Sequence, residues 1–388
     1  MRIAMVTETY PPEVNGVALT VASLAQGLRE AGHAVQLVRP RQRDDIAAED
    51  GADILVRGAR LPKYRDLQFG LPTPSRLRKL WKDECPDAIY VATEGPLGYS
   101  ALRVARRLGI PTATGFHTRF DDFAHHYGLG FLTPAVFAYL RRFHRQAAAT
   151  LVPTNELREF LVRNQFGNVA LLRRAVDTTL FSPRRRDDDL RAQWGLAPGQ
   201  IAMLYVGRIS PEKNLPLAVR TFREIEKIHR GARYVWIGDG PSRAKLAAEN
   251  PDFIFTGIRR GIDLARHFAS ADLFAFPSLT ETFGNVTLEA LASGLPTVAF
   301  DYGAAREHLT FACGRCVPFG DEEAFVHAAL DLVRRDVTRP ECRAAAVAAV
   351  DGLDPAAVAA SFAALLAGLS HAGDECRLKA DLLRAGTP

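Results

Sequence analysis

The chain has 388 residues, of which 47% are hydrophobic and 24% are charged. This length predicts two domains rather than one core, and the composition excludes a disordered chain. Its apolar runs fall short of the roughly 18 residues that a membrane span needs, and five scattered cysteines are typical of a reducing cytoplasm.

The net charge of +5 is unevenly distributed along the chain. Residues 1–176 hold 24 Lys and Arg against 17 Asp and Glu, a balance of +7, so the remaining residues carry −2. A basic first half favours an anionic partner, for which a membrane surface, nucleic acid and a phosphorylated substrate are the candidates.

Short apolar runs alternate with amphipathic segments, a pattern typical of α/β layers. The N-terminal MRIAMVTETYPPE predicts a first strand and not a signal peptide. The predicted strands of the first half are 2–7, 35–38, 54–56, 88–91, 112–115 and 150–153, with helices over 18–32, 98–108 and 133–147. After a solvated connector at 177–200, strands are predicted at 202–206, 234–237, 253–255, 273–276 and 297–300.

Several of these strands, such as YVWIG and LFAFPS, are apolar throughout. Such runs are covered on both faces and indicate parallel sheets. The sequence therefore predicts two doubly wound, Rossmann-like domains, 1–176 and 177–364, that face a cleft. A C-terminal helix is predicted over about 365–388, and it could pack on the first domain. Ligands of such sheets bind beyond the carboxyl ends of strands, so the loops there carry the candidate residues.

Two loops of the second half carry glycines. VGRISPEKN contains Gly207, Arg208 and Lys213 directly after a strand. The glycine lets the backbone approach a ligand, and the two cations suit a diphosphate, although a surface Arg and Lys near a turn would give the same pattern. Gly238 lies in GDGP, which taken alone more often marks a structural turn.

A histidine, His117, follows the predicted strand 112–115 in the first half. At that place it can hydrogen-bond a sugar hydroxyl or a phosphate oxygen. A structural histidine with both nitrogens satisfied is the alternative.

The segment PSLTETFGNVTLEALASGLPT places Glu281 before a predicted helix and Glu289 inside it. Gly284 permits close backbone approach, and a helix that starts near Asn285 directs its first amides at electron-rich groups. Carboxylates accept hydrogen bonds from paired hydroxyls, as on sugars. A capping Glu281 and a solvent-facing Glu289 are the alternative.

Together these motifs resemble the family 4 retaining glycosyltransferases, which have the GT-B fold. The resemblance is carried by Glu281-TFGNVTL-Glu289 with PS before it and ASGLPTVA after it, by GR…EKN at 207–214 and by VDT…F-x-P at 176–183. Position 175 is Ala where the family usually has Gly. A subgroup of sulfoquinovosyldiacylglycerol synthases and lipid-directed mannosyltransferases is similar at TETYPPEVNGV, TEGPLG, GFHTRFDDF, HYGLG, RRFHRQ and LVPTNEL.

The resemblance implies a UDP- or GDP-linked sugar held between the domains, without a metal or other cofactor. Arg208 and Lys213 would neutralise the diphosphate, Glu289 would hold the ribose, and Glu281 and His117 would contact the donor sugar. Glu281, His117, Arg208 and Lys213 form the implied catalytic set. The other residues expected at the donor are Asn15, Gly16, Gly207, Gly238, Ile258, Phe283, Gly284 and Asn285.

Residues 57–82 mix eight cations with one acid and include Tyr64, Phe69 and Trp81. Such a segment suits an anionic bilayer surface. A solvated face is the alternative, and no nucleic-acid module accompanies the segment. We therefore predict a lipid or glycolipid acceptor, weak binding to the inner face of the cytoplasmic membrane, and no nucleic-acid partner.

Two other functions stay open at this stage. One is transfer to a soluble or polyprenyl-linked saccharide, and the other is nucleotide-sugar binding without catalysis. A nicotinamide-dependent enzyme would need GxGxxG after its first strand, which MVTETYPPEVNG lacks. The sequence does not distinguish UDP from GDP or identify the sugar.

Overall fold

The computed structural model describes the chain except residues 14, 43–52, 62–63, 118–132, 282, 336–338 and 386–388, and it leaves the side chains of 60–61, 64–68, 133 and 371–385 undescribed. The chain forms two compact units, and each is described by itself. Unit 1 comprises Met1–Ala175 and Pro355–Pro388, and unit 2 comprises Val176–Asp354. The return to unit 1 thus begins at residue 355 and not at about 365. Among the described residues, no helix combines the length and apolar character that crossing a bilayer requires.

Unit 1 is built on a seven-stranded parallel sheet with the order β3-β2-β1-β6-β7-β8-β9, and β4 and β5 pair separately as an antiparallel hairpin. Every residue of β6 is buried, as expected for a strand covered on both faces. The strands are β1 (Arg2–Val6), β2 (Ala34–Pro40), β3 (Asp53–Val56), β4 (Gly58–Leu61), β5 (Tyr64–Gly70), β6 (Ala88–Val91), β7 (Thr112–Gly115), β8 (Ala149–Val152) and β9 (Val169–Leu171).

The described residues before position 176 form five helices of unit 1. They are α1 (Gly16–Glu30), α2 (Pro74–Asp83), α3 (Pro96–Leu108), α4 (Thr133–His144) and α5 (Asn155–Arg163). Asn15 caps α1 because its Oδ1 accepts hydrogen bonds from the amides of Val17 and Ala18, at 3.1 and 2.8 Å. The cap fixes where the chain turns from β1 into the first crossover helix.

Unit 2 repeats this plan with a six-stranded sheet of order β12-β11-β10-β13-β14-β15, all parallel. Its strands are β10 (Ala202–Val206), β11 (Arg233–Ile237), β12 (Ile254–Gly257), β13 (Leu273–Phe276), β14 (Thr297–Phe300) and β15 (Gly314–Val317). Its helices are α6 (Asp188–Gln193), α7 (Leu215–Ile228), α8 (Arg243–Glu249), α9 (Gly261–Ser270), α10 (Asn285–Ala292), α11 (Gly303–His308), α12 (Glu322–Arg335) and α13 (Pro340–Ala348).

A last helix, α14 (Pro355–Ala385), brings the chain back to unit 1. It packs on α1 so closely that a Cβ at Gly27 would lie 2.6 Å from the Cβ of Ala359. The buried Phe362 meets the ring of Tyr90 edge-on, with centroids 4.9 Å apart. Small side chains at the crossing therefore let α14 cover the core of unit 1.

The predicted pair of doubly wound parallel sheets is confirmed. Both sheets reverse their strand order at one place, between β1 and β6 in unit 1 and between β10 and β13 in unit 2. Loops that leave the carboxyl ends of strands at such a reversal form the ligand crevice of open α/β sheets. Both reversals are therefore places where a ligand site is expected.

Candidate active site

In unit 2 the strand order reverses between β10 and β13, which pair through Met203 with Leu273 and Leu204 with Phe274. The loop after β10 runs from Gly207 to Asn214, and the loop after β13 leads into α10. Both predicted motifs, GR…EKN and the segment with two glutamates, therefore leave neighbouring strands at the same edge of one sheet.

Lys213 and Glu281 meet across these two loops. Lys213 Nζ lies 2.5 Å from Glu281 Oε1 and donates to the carbonyl of Thr280 at 3.0 Å. Ser278 Oγ donates to the same Oε1 at 2.9 Å. The Lys213 and Glu281 side chains are 15% and 20% exposed, so the ion pair is partly screened from water. Among the described residues no hydrogen bond reaches Glu281 Oε2, so this oxygen can accept one from a ligand.

Arg208 lies at the start of the first loop and extends into solvent. Its side chain is 66% exposed, and Nη1 is 4.0 Å from Glu212 Oε1. Tyr205 Oη donates to the Arg208 carbonyl at 2.9 Å and holds the loop backbone. The guanidinium therefore keeps its charge and its donors available on a fixed backbone.

Gly207 and Gly238 end the neighbouring strands β10 and β11. A Cβ at Gly238 would lie 2.0 Å from the Gly207 carbonyl oxygen, and the φ of Gly238 is +129°. Glycine is required there by the contact between the two loops, which is a structural reason independent of any ligand. Ile258 follows β12 at the same edge of the sheet, and its apolar side chain is 62% exposed.

The N-terminus of α10 carries three predicted donor-site residues, Phe283, Gly284 and Asn285. Gly284 is the N-cap with φ +91°, and no side chain caps the helix. The carbonyl of the buried Phe283 accepts from the Ala304 amide at 2.7 Å, which ties this turn to α11. No described side chain accepts from the first amides of α10, so these amides can bind an anionic or hydroxyl oxygen.

Glu289 lies one turn into α10 and is partly buried. Burial raises the pKa of Glu289 to about 7. Among the described residues no cation or hydrogen-bond donor contacts its side-chain carboxylate. A carboxylate in this state gains from a pair of hydroxyl donors, which supply the hydrogen bonds that the protein does not.

In unit 1, Asn15 and Gly16 have structural roles. Besides capping α1, Asn15 donates through Nδ2 to Thr9 Oγ1 at 2.6 Å, so both ends of its amide are occupied. Gly16 is the first residue of the helix. Their contact with a donor stays a prediction.

His117 is also held from both sides. Nε2 lies 2.7 Å from Tyr90 Oη and Nδ1 lies 2.8 Å from Arg174 Nη2. A guanidinium only donates, so Nδ1 is the acceptor and the ring proton is on Nε2. Burial, together with the nearby Arg174 and His144, lowers the pKa of His117 well below its usual value. His117 is thus a neutral, buried group, and its predicted contact with a sugar would require one of these hydrogen bonds to break.

Two carboxylates that follow β1 and β6 were not predicted as site residues. Glu8 is buried and accepts from the Leu97 amide at 2.8 Å, at the start of α3. Burial raises the pKa of Glu8 to about 7, and the nearby Glu94 adds to the effect. Glu94 Oε1 lies 3.4 Å from His144 Nε2. The signal was present in the sequence, because both residues come just after apolar strands in TETYPPE and TEGPLG.

The predicted membrane segment, 57–82, is only partly a surface. Trp81 is 1% exposed, and its Nε1 donates to Gln36 Oε1 at 3.2 Å, so the prediction that it lies at a bilayer was wrong. Phe69 is partly buried, and the side chain of Tyr64 lies outside the described ones. The cations of α2 and the adjacent α3 are exposed, and we call them the basic face: Arg76, Arg78, Lys79, Lys82, Arg103, Arg106 and Arg107.

Elsewhere in the described part of the chain, no three His, Cys, Asp or Glu side chains are grouped so that they could hold a metal ion. Cys313 is buried and Cys316 is exposed, and the Cys316 thiol donates to Asp301 Oδ1 at 3.3 Å.

Comparison with known proteins gave matches over both units. The model of "Glycosyltransferase Family 4" matches residues 14–180, and that of "Glycosyl transferases group 1" matches 200–335. The GDP-mannose-dependent alpha-mannosyltransferase of Mycobacterium tuberculosis is 37% identical over 83% of this chain and 85% of the relative. The alpha-monoglucosyldiacylglycerol synthase of Streptococcus pneumoniae is 30% identical over 77% of this chain and 71% of the relative.

Among solved structures, sucrose-phosphate synthase from Thermosynechococcus elongatus is similar with a TM-score of 0.74. The identity is 17%, and the alignment covers 96% of this chain and 99% of that one. At this identity the likeness concerns the fold.

Proposed function

The chain belongs to the family 4 glycosyltransferases, and from this we propose that it transfers a hexosyl group from a nucleotide sugar to a lipid acceptor with retention of the anomeric configuration. Its two units have the GT-B fold, and its general activity is that of a glycosyltransferase acting on nucleotide sugars. The observation that carries the proposal is the meeting of Lys213 with Glu281 beside the exposed Arg208, at the strand reversal of unit 2.

Arg208 and Lys213 neutralise the diphosphate of the donor in this proposal. When the bond from the sugar to the diphosphate breaks, negative charge develops on the terminal phosphate, and fixed cations there stabilise the transition state. A pair of cations is sufficient for this charge, so the proposed mechanism uses no metal ion. The uncapped amides of α10 add donors without any reorganisation at the moment of reaction.

Glu281 and Glu289 bind hydroxyls at the two ends of the donor. Oε1 of Glu281 already accepts from Lys213 and Ser278, so the carboxylate is oriented and Oε2 is left for a sugar hydroxyl. Glu289, whose partners are missing among the described residues, accepts from the ribose hydroxyls. Glu281 thus contributes chiefly to turnover, and Glu289 contributes chiefly to nucleotide affinity.

Retention follows from attack on the same face that the diphosphate leaves. The bond between sugar C1 and the phosphate oxygen breaks as the bond between C1 and the acceptor oxygen forms. The acceptor hydroxyl passes its proton to the departing phosphate, so no side chain has to act as nucleophile or base. Nuclear magnetic resonance of the product is the test, and an inverted anomeric proton would overturn this step.

GDP-mannose is the donor that the relatives favour, because the relative at 37% identity is named GDP-mannose-dependent. Calorimetric titration with GDP and UDP, followed by GDP-mannose and UDP-glucose, tests the choice. We expect GDP to bind at least about ten times more tightly, a difference of about 1.4 kcal/mol. Tighter binding of UDP would overturn the choice of base but not the activity.

A lipid acceptor is supported by the basic face and by the relative that is named an alpha-monoglucosyldiacylglycerol synthase. The basic face offers seven exposed cations on two adjacent helices, which suits an anionic leaflet. We therefore propose peripheral binding of unit 1 to such a membrane. Product analysis with diacylglycerol, with polyprenyl-linked saccharide and with soluble oligosaccharide tests the acceptor class, and transfer only to a saccharide would overturn the lipid proposal.

A further inference from the structure

Arg174 is a buried cation with no counter-ion among the described residues. It is 6% exposed, and Nη2 is hydrogen-bonded to His117. Within the described part of the chain, Nε and Nη1 have no hydrogen-bond partner. Burial lowers the pKa of Arg174 to about 10, so it stays charged at neutral pH. A guanidinium buried in this way is costly unless a partner supplies both hydrogen bonds and negative charge.

A small cavity lies beside this guanidinium. Its lining includes Arg174, His117, Thr20 and Pro153, and its volume is about 10 Å³. That space admits about one oxygen-sized group. His117, Pro153 and Arg174 follow the carboxyl ends of β7, β8 and β9 respectively, so the cavity lies at the edge where doubly wound sheets bind ligands.

We propose that Arg174 binds an oxyanion carried by a substrate, such as a carboxylate, sulfonate or phosphate group. One oxygen of the group enters the cavity and accepts from the unpaired guanidinium nitrogens, while Nη2 continues to hold His117. A buried water could satisfy a hydrogen bond there, but it would leave the charge of Arg174 uncompensated. The assignment of the anion to the sugar donor or to the acceptor rests on the proposed function.

The donor diphosphate is not the group that this pocket needs. Arg208 and Lys213 in unit 2 already serve the diphosphate in our proposal. The anion at Arg174 is therefore an acidic substituent on the transferred sugar or on the acceptor.

The first test is crystallographic and uses selenate as the probe. Crystals of the whole protein soaked in selenate should show an anomalous difference peak within hydrogen-bonding distance of Arg174 Nε or Nη1. Arg174→Gln should lose this peak, and Arg158→Gln, which removes an exposed cation of α5, should keep it. A wild-type crystal without a peak at Arg174 would overturn the proposal, and this result needs no variant to fold.

Thermal unfolding provides the solution counterpart. At equal ionic strength, sulfate should raise the Tm above its value in chloride by more in the wild type than in Arg174→Gln. Sulfate bound in unit 2 contributes equally to both proteins and cancels in the comparison. Equal sulfate shifts in the two proteins would contradict the pocket.

Turnover then separates the two sources of the anion. The donor pair is GDP-mannose and GDP-mannuronate, or UDP-glucose and UDP-glucuronate if UDP is the base that binds. The acceptor pair is diacylglycerol and phosphatidylglycerol. Arg174→Gln should lower kcat/KM by about 10- to 100-fold for the anionic member of one pair only. An equal loss with all substrates would mark Arg174 as structural and overturn the inference.

Failure of this inference can be told apart from failure of the proposed function. If GDP or UDP binds in the titration but selenate avoids Arg174, only the oxyanion pocket is wrong. If neither nucleotide binds, the proposed function fails whatever selenate does.

Discussion

The two units share one strand plan, but the carboxyl edges of their sheets are chemically different. In unit 2 the charged groups are partly exposed: Arg208 lies in solvent, and Lys213 and Glu281 pair across two loops. In unit 1 the corresponding edge is buried, and His117 is held between Tyr90 and Arg174. The same fold thus presents a charged loop pair in one unit and a buried polar network in the other.

This difference reflects what each edge is suited to bind. Exposed cations remain hydrated in the free protein, so their desolvation costs little before a ligand binds. They can then bind a strongly charged diphosphate. Buried groups such as Glu8 and Arg174 have lost their hydration already, so each gains strongly from one well-placed partner. In our proposal, unit 2 therefore binds the nucleotide, and unit 1 makes fewer, more selective contacts with the substrates.

The largest effect should come from the exposed cation of unit 2. Arg208→Ala should lower turnover by about 10²- to 10³-fold, because it removes charge stabilisation on the leaving phosphate. Thermal stability should change little, since the side chain is mostly in solvent. Steady-state kinetics and thermal unfolding measure both quantities. Lys245→Ala, which removes another exposed cation of unit 2, is the control and should keep full turnover; unchanged turnover in Arg208→Ala would misplace the site.

Glu8 and Glu289 allow a matched test of burial in the two units. Both have a pKa raised from 4.5 to about 7 by burial. The contribution of each carboxyl to the free energy of unfolding is therefore complete below about pH 4.5 and is lost as the pH rises through 7. For the more buried Glu8 this contribution is on the order of 3 kcal/mol. In urea unfolding, the free energy of unfolding should fall less between pH 5 and pH 8 for Glu8→Gln and Glu289→Gln than for the wild type. If the free energy of unfolding of both variants fell with pH as much as that of the wild type, neither carboxyl would have a raised pKa.

The same two carboxylates should separate in nucleotide binding. Glu289→Gln should weaken GDP or UDP binding by about 10- to 100-fold, because a charged acceptor of ribose hydroxyls is lost. Glu8→Gln, in unit 1, should bind the nucleotide as the wild type does. Glu281→Ala should depress turnover more than nucleotide affinity. Calorimetry measures the nucleotide affinities, and steady-state kinetics measure turnover. An equal loss of nucleotide affinity in the Glu8 and Glu289 variants would contradict the placement of the nucleotide at unit 2.

The smallest effect concerns the basic face of unit 1. Replacing Arg78 and Lys79 with Gln should weaken the free energy of binding to anionic vesicles, measured by co-sedimentation, by about 1 kcal/mol per cation. This difference between variant and wild type should diminish at high salt. The control replaces Arg145 and Arg158, exposed cations of the same unit, with Gln. Binding that ignores salt and anionic lipid would contradict the membrane proposal.

The sheets and the site loops of unit 2 could be predicted because their signals are local. Apolar runs such as LFAFPS mark covered strands, and GR…EKN and the two-glutamate segment follow strands directly. The ion pair between Lys213 and Glu281 was not predicted, since it joins residues 68 positions apart. Only the strand order, which brings β10 beside β13, makes that contact.

The polar contacts of unit 1 were harder to predict because they join buried groups that are distant in the sequence. The partners of His117 lie 27 and 57 positions away, so the sequence offered a satisfied histidine only as an alternative and could not identify Tyr90 and Arg174. Trp81 was misread from composition, although its spacing from Leu77 places both on one face of a helix. Helical periodicity would have assigned Trp81 to the core, where the structure has it.

The central claim is that unit 2 holds the nucleotide, and a crystal structure of the protein soaked with GDP and then UDP tests it most directly. We predict phosphate oxygens against Arg208 and Lys213 and ribose hydroxyls against Glu289. Nucleotide density at unit 1 alone, away from all three side chains, would contradict the account.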